Sequence, residues 1–141
     1  MAIEIRNPRT IHLAGPIVRV NDLPAAGTVT PGHALARDAG TYAFHPAAEA
    51  GPLTLALNVP ELNKTFDDTY AADDLMFAGI FPAGSSGLAW LASGENVTDG
   101  DLLESAGSGN LRALAAGSAL ARAIEDKDAT AGAARIRVEA V

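Results

Sequence analysis

The chain contains no cysteine, and only 5% of its 141 residues are aromatic. Without cysteine it has neither a disulfide framework nor thiol chemistry. With so few aromatic residues, the core must be built from valine, isoleucine, leucine and alanine, and it gains stability at only ~25 cal/mol per Å² of buried apolar area. An oligomer or a larger assembly would compensate for such a thin core, so we expect a partner surface.

Long apolar runs and lysine are also scarce. No segment approaches the roughly 20 apolar residues that span a bilayer, and residues 1–6 lack the basic-then-apolar pattern of a signal peptide. Lys64 and Lys127 are the only lysines, and the net charge is −7. Because an acidic surface repels polyanions, nucleic acid is an unexpected partner, and we expect no membrane partner either.

Turn-forming residues are plentiful, with 14 glycines and 8 prolines. Short apolar runs alternate with Gly, Asn and Asp about every eight to twelve residues, most clearly over residues 91–141, and this spacing is typical of a small all-β barrel or sandwich. The alternation in Arg135-Ile-Arg-Val-Glu139 predicts the last strand. The length fits one domain.

The first 28 residues differ from the rest because prolines recur there at positions 8, 16 and 24. Each proline removes a backbone donor and holds the preceding residue extended. We therefore predict an extended N-terminal arm over residues 1–28 and a β-rich domain over residues 29–141. The arm is either a first strand of the same barrel or a segment that adds its backbone to a neighbouring subunit's sheet. Its predicted contact residues are Ile3, Ile5, Ile11, Leu13, Ile17 and Val18.

Two further features allow alternatives. Val29-Thr-Pro-Gly-His-Ala-Leu35 matches Val97-Thr-Asp-Gly-Asp-Leu-Leu103 at an offset of 68 residues, through either internal duplication or chance. Residues 112–127 have the composition of a helix, yet the alternation within residues 119–124 also allows a strand.

No set of residues has the spacing of a catalytic or metal site. The three histidines, at positions 12, 33 and 45, lack the clustered ligands that zinc requires. The paired aspartates do not follow the oxygen series of a calcium loop. Residues 125–129 loosely resemble the lysine hairpin of a lipoyl carrier, but only fourteen residues follow Lys127, too few for a second half-barrel. We expect no enzyme activity, no metal and no cofactor.

The order of motifs resembles the head decoration, or capsid cement, proteins of tailed phages. The matching pieces are Thr30-Pro-Gly32, an aromatic segment ending at His45, residues 67–72, 91–97, 100–109 and 123–128, and the terminal Arg-Ile-Arg-Val. The resemblance favours strand over helix for residues 112–127, and we adopt strand.

The resemblance implies a non-enzymatic virion protein that binds the outer surface of an assembled capsid head and stabilises it. Its partners would be the major capsid protein and neighbouring copies of itself, as a homotrimer. The competing hypotheses are a small β-barrel ligand-binding module and another virion part, such as a tail or fibre component.

Overall fold

The structure, a computed structural model, describes residues 10–59 and 65–141. Every regular element in these residues is a strand, and none is a helix, which confirms the mainly β prediction. The strands are β1 (His12–Ala14), β2 (Val18–Val20), β3 (Leu35–Asp38), β4 (Thr41–Phe44), β5 (Leu53–Ala56), β6 (Ala78–Phe81), β7 (Ser86–Leu91), β8 (Asn96–Val97), β9 (Leu102–Ser105), β10 (Leu111–Ala113), β11 (Ala121–Ala123), β12 (Lys127–Asp128) and β13 (Ala134–Ala140).

The second half of the chain forms a closed five-stranded barrel, which we call the second ring. Strand β13 pairs with β7 over six residue pairs, beginning with Ala134 opposite Leu91. Strand β11 joins β13 to β9, and β9 turns back as β10. A parallel bridge between Leu111 and Leu91 returns β10 to β7 and closes the ring. The body is therefore a small barrel, as predicted.

The first half, residues 18–81, repeats this order of contacts, and we call it the first ring. Strand β2 pairs with β6, and β6 pairs with β5. A bridge between Ala34 and Leu55 connects β5 to the β3–β4 hairpin. A parallel bridge between Ala25 and Tyr42 then returns to the segment after β2. The first ring is thus looser than the second, because isolated bridges replace two of its ladders.

The turns at residues 30–33 and 98–101 show the same duplication. Each has glycine in third place, with φ of +99° at Gly32 and +97° at Gly100. The fourth residue donates its N–H to the first residue's carbonyl at 3.1 Å in both turns. Its side chain, a histidine or an aspartate, accepts the first residue's N–H in return. The 68-residue sequence offset therefore also separates equivalent backbone hydrogen bonds.

The core consists of small and aliphatic side chains, as the composition predicts. The larger cluster joins the two rings and includes Ile11, Leu55 and Ile136, all fully buried. A smaller cluster fills the first ring around Tyr42 and Met76.

Residues 112–127, for which helix was the alternative, contain most of β10, all of β11 and the start of β12. The strand prediction is correct because β11 is held between β9 and β13 on both of its edges. Pairing with distant strands outweighs the helix propensity of Ala and Leu, which is worth well under 1 kcal/mol per residue.

The predicted arm is divided in the structure. Residues 1–9 lie outside the described residues, whereas residues 12–20 carry β1 and β2, which pair with β7 and β6 of the same chain. For these residues the structure therefore shows pairing within the chain, the first of the two alternatives.

Alanine at the two equivalent turn glycines should have unequal effects. Gly100→Ala should lower the free energy of unfolding by ~1–2 kcal/mol, because alanine is strained at positive φ. Gly32→Ala should cost more, because its new Cβ would also lie 3.1 Å from the Leu88 carbonyl oxygen and 3.2 Å from the Trp90 ring. Urea unfolding measures both, with Gly27→Ala as a control at a glycine with open space around it. Equal losses at Gly32 and Gly100 would contradict the contact between the rings.

Candidate interaction surface

The six predicted contact residues have different environments. Ile3 and Ile5 lie outside the described residues. Ile11 is fully buried in the core that joins the two rings. Its N–H donates to the side-chain oxygen of Asn58 at 3.1 Å, and its carbonyl accepts the N–H of Leu88 at 2.8 Å. Ile11 therefore anchors the start of the described chain to the body.

The other three residues become progressively more exposed along the chain. Leu13 and Ile17 are half-buried and pack against the shared core. Val18 is 54% exposed, which makes it one of the most exposed large apolar residues in the described chain. Of the four described contact candidates, Val18 is the one with most of its side chain available to a partner.

Strands β1 and β2 share a topological property that matters for binding. In the described residues, β1 is the end strand of the six-stranded sheet, and β2 is the end strand of a three-stranded sheet. An edge strand offers backbone groups to an incoming strand. Both edges lie within the first part of the described chain, close in sequence to residues 1–9.

The seam between the rings is held by Arg135, whose role the sequence did not reveal. Its guanidinium carbon lies 4.0 Å from the Phe66 ring centre and 4.5 Å from that of Trp90. The guanidinium donates to Asp67 Oδ1 at 2.9 Å and to the carbonyl of Pro31. The alternating pattern predicted the strand but not these partners, since they come from distant loops. These contacts give Arg135 a structural role.

The histidines are each occupied by local contacts. His12 donates from Nε2 to the Gly15 carbonyl at 2.6 Å, and His45 donates from Nδ1 to the Pro46 carbonyl at 3.0 Å. His33 packs edge-on against a phenylalanine ring at 5.1 Å. Within residues 10–59 and 65–141, no three His, Asp or Glu side chains are grouped so that they could hold a metal ion.

Comparison with known proteins adds no relative. Neither a family model nor a curated protein matches this chain. In the described ranges, no helix could cross a membrane. The chain's own edges, seams and cavities are therefore the basis for a functional proposal.

Acid should weaken the fold through His33. Burial, and secondarily the charge of Arg135, lowers the pKa of His33 from 6.5 to about 4. Between these values the unfolded chain binds a proton that the folded chain excludes, so this histidine's contribution to stability is complete above pH 6.5 and is lost as the pH falls towards 4.

His33→Asn should flatten this loss, because asparagine can still accept the Thr30 N–H that His33 Nδ1 accepts at 3.1 Å. Urea unfolding at several values between pH 7 and 4 compares the two proteins. A variant with the same decline in stability over this range as the natural chain would show that His33 is not its source.

Proposed function

We propose that this chain is a structural virion protein that binds the outer surface of an assembled tailed-virus capsid and stabilises it. The observation that carries the proposal is the placement of β1 and β2 as edge strands in the first part of the described chain. Edge strands bind partners through main-chain hydrogen bonds, which require no pocket. A protein that decorates a shell needs surface contact of this kind.

The charge of the chain fits an exterior position. With a net charge of −7, the chain is repelled by packaged nucleic acid but not by solvent. The aspartates of the turns at residues 65–68 and 71–74 are exposed or half-exposed, and they add to the acidic surface. The proposed location is therefore the outside of the capsid head.

The thin core supports a partner that adds stability. The buried side chains are largely leucine, valine and alanine, with Tyr42 and Phe81 as the buried aromatics of the described chain. Contact with the major capsid protein and with sister copies, as a homotrimer, would remove more apolar surface from water. Binding to the folded form alone would stabilise it further.

The proposed contacts divide into two groups. Ile3 and Ile5, in the segment before β1, would contact the capsid or a sister copy, and exposed Val18 would extend that surface along β2. Ile11 would instead hold the segment to the body, because its side chain is fully buried there.

Deleting residues 2–9 should abolish capsid binding and leave the thermal unfolding of the body unchanged. The deletion stops at residue 9 because Ile11 belongs to the core. Co-sedimentation with assembled capsids of the encoding virus measures binding, and calorimetry measures the fold. Val18→Asp should weaken binding, while Thr130→Asp, on an exposed turn of the second ring, serves as the matched control.

Normal decoration by the truncated protein would contradict the role of this segment. A full-length protein that never sediments with capsids would overturn the proposed function and favour the ligand-binding module.

A further inference from the structure

The two rings are joined by a loop of the first ring that is inserted into the second. Ala48, between β4 and β5, donates its N–H to the Ser105 carbonyl at 2.9 Å and accepts the N–H of Ser118 at 3.0 Å. The Ser105 hydroxyl donates to the His45 carbonyl at 2.8 Å. Ala48 thus occupies the gap beside the end of β9. We call residues 46–50 the plug and the gap that receives them the seat.

The seat fits small side chains closely. A Cβ added at Gly117 would lie 2.5 Å from the Ala48 Cβ, and one added at Gly107 would lie 3.1 Å from the Ala47 Cβ. The first of these distances is too short for any side chain to replace glycine without movement. The two alanines of the plug and the two glycines of the seat are therefore complementary in shape.

The duplication places an equivalent seat in the first ring. Moving back 68 residues takes Ser105 to Arg37, and moving back 67 takes Ser118 to Gly51. In the described residues, β3 and β5 are joined by a single bridge, between Ala34 and Leu55. Beyond this bridge lies a cavity of about 240 Å³ whose lining includes Arg37 and Gly51. No described segment of the chain fills it.

A single residue difference explains part of this open space. Glu104 of the second ring has a fully buried side chain, accepts the N–H of Ala115 and pairs with Arg112 at 3.4 Å. The N–H of Ala115, followed by Arg112, holds the pKa of Glu104 below its ordinary value of 4.5. The equivalent residue in the first ring is Ala36, which lines the cavity and has no carboxylate to fill it.

The second ring in turn carries an unused plug. Residues 114–118 lie 68 positions after the plug and repeat its pair of alanines as Ala115 and Ala116. Both of these alanines are exposed. Because the Glu104 carboxylate binds the backbone of this loop, its shape is set before any partner arrives. Each chain therefore carries an empty seat on one ring and an exposed plug on the other.

We propose that copies of this chain associate head to tail, with residues 114–118 of one copy seated in the first-ring cavity of the next. Ala116 takes the place that Ala48 has within the chain, with its N–H towards the Arg37 carbonyl and its own carbonyl towards the Gly51 N–H. The first ring has Ala50 where the second has Gly117, and the cavity supplies the room that the glycine supplies there.

A head-to-tail interface joins different surfaces of identical chains, so it forms a ring when the rotation closes and a filament when it does not. The association requires no capsid, so it stands or falls separately from the proposed function.

The absence of cysteine makes a direct test possible. Ala116→Cys and Ala50→Cys each introduce one thiol, the first on the unused plug and the second beside the empty seat. When the two variants are mixed under mild oxidation, a disulfide-linked heterodimer should form roughly tenfold faster than either homodimer, because docking raises the local thiol concentration. Ser108→Cys, at an exposed position outside the plug and the seat, replaces Ala116→Cys in the control mixture and should show no such acceleration.

A second experiment uses sedimentation velocity at high protein concentration. The natural chain should form oligomers. Ala116→Asp, which damages the plug, and Ala36→Glu, which fills the seat as Glu104 does in the second ring, should each be monomeric. An equimolar mixture of the two should form a 1:1 dimer, because one intact plug and one intact seat remain.

A natural chain that stays monomeric, or a mixture that links no faster than its control, would overturn the head-to-tail contact. Equally fast linking of Ala116→Cys with itself would indicate a symmetric interface and would also overturn it. Sedimentation with capsids is measured separately, so failure of either proposal leaves the other intact.

Discussion

The architecture depends on β7, the one strand of this chain that is paired on so many fronts. It pairs with β13 over six residue pairs, with β10 at Leu91 and with β1 at Gly87. A Cβ at Gly87 would lie 2.8 Å from the Ile11 carbonyl and from the Phe81 ring. Closure of the barrel, attachment of the first described strand and contact between the rings therefore all require β7 to lie where it does.

Duplication gives the molecule two versions of one ring, and their differences are more informative than their likeness. The second ring is closed by ladders and has a buried carboxylate at Glu104, whereas the first relies on isolated bridges and has Ala36 there. Contact between the rings satisfies only one of the two seats, because the plug of the first ring enters the second and cannot also fill its own. The linear order of a tandem repeat thus leaves one unused half of the contact at each end.

The surface edges and the seat are independent features with different chemistry. At the edges β1 and β2, a partner would bind chiefly through backbone hydrogen bonds, with Val18 adding apolar area. At the first-ring seat, shape and two backbone hydrogen bonds would select a pair of alanines. Capsid attachment and self-association can therefore be altered separately, which suits a protein whose thin core gains stability from its neighbours.

The sequence alone determined the features that depend on local chemistry. Gly32 and Gly100 marked the equivalent turns because glycine readily adopts positive φ. The alternation around Ile136 marked the last strand, and the scarcity of aromatic residues marked the aliphatic core. The paired sequences at residues 29–35 and 97–103 pointed correctly to a repeated unit.

The tertiary structure decided everything that requires distant segments to meet. It settled residues 112–127 as strands, placed Ile11 in the core rather than on a surface, and gave Arg135 its aromatic and carbonyl partners. Spacing along the chain carries no record of which loops close on one another, since pairing partners here are separated by as many as 69 residues, as at Ser85 and Pro16. The empty seat was invisible for the same reason, because it is defined by a ladder that stops after one bridge.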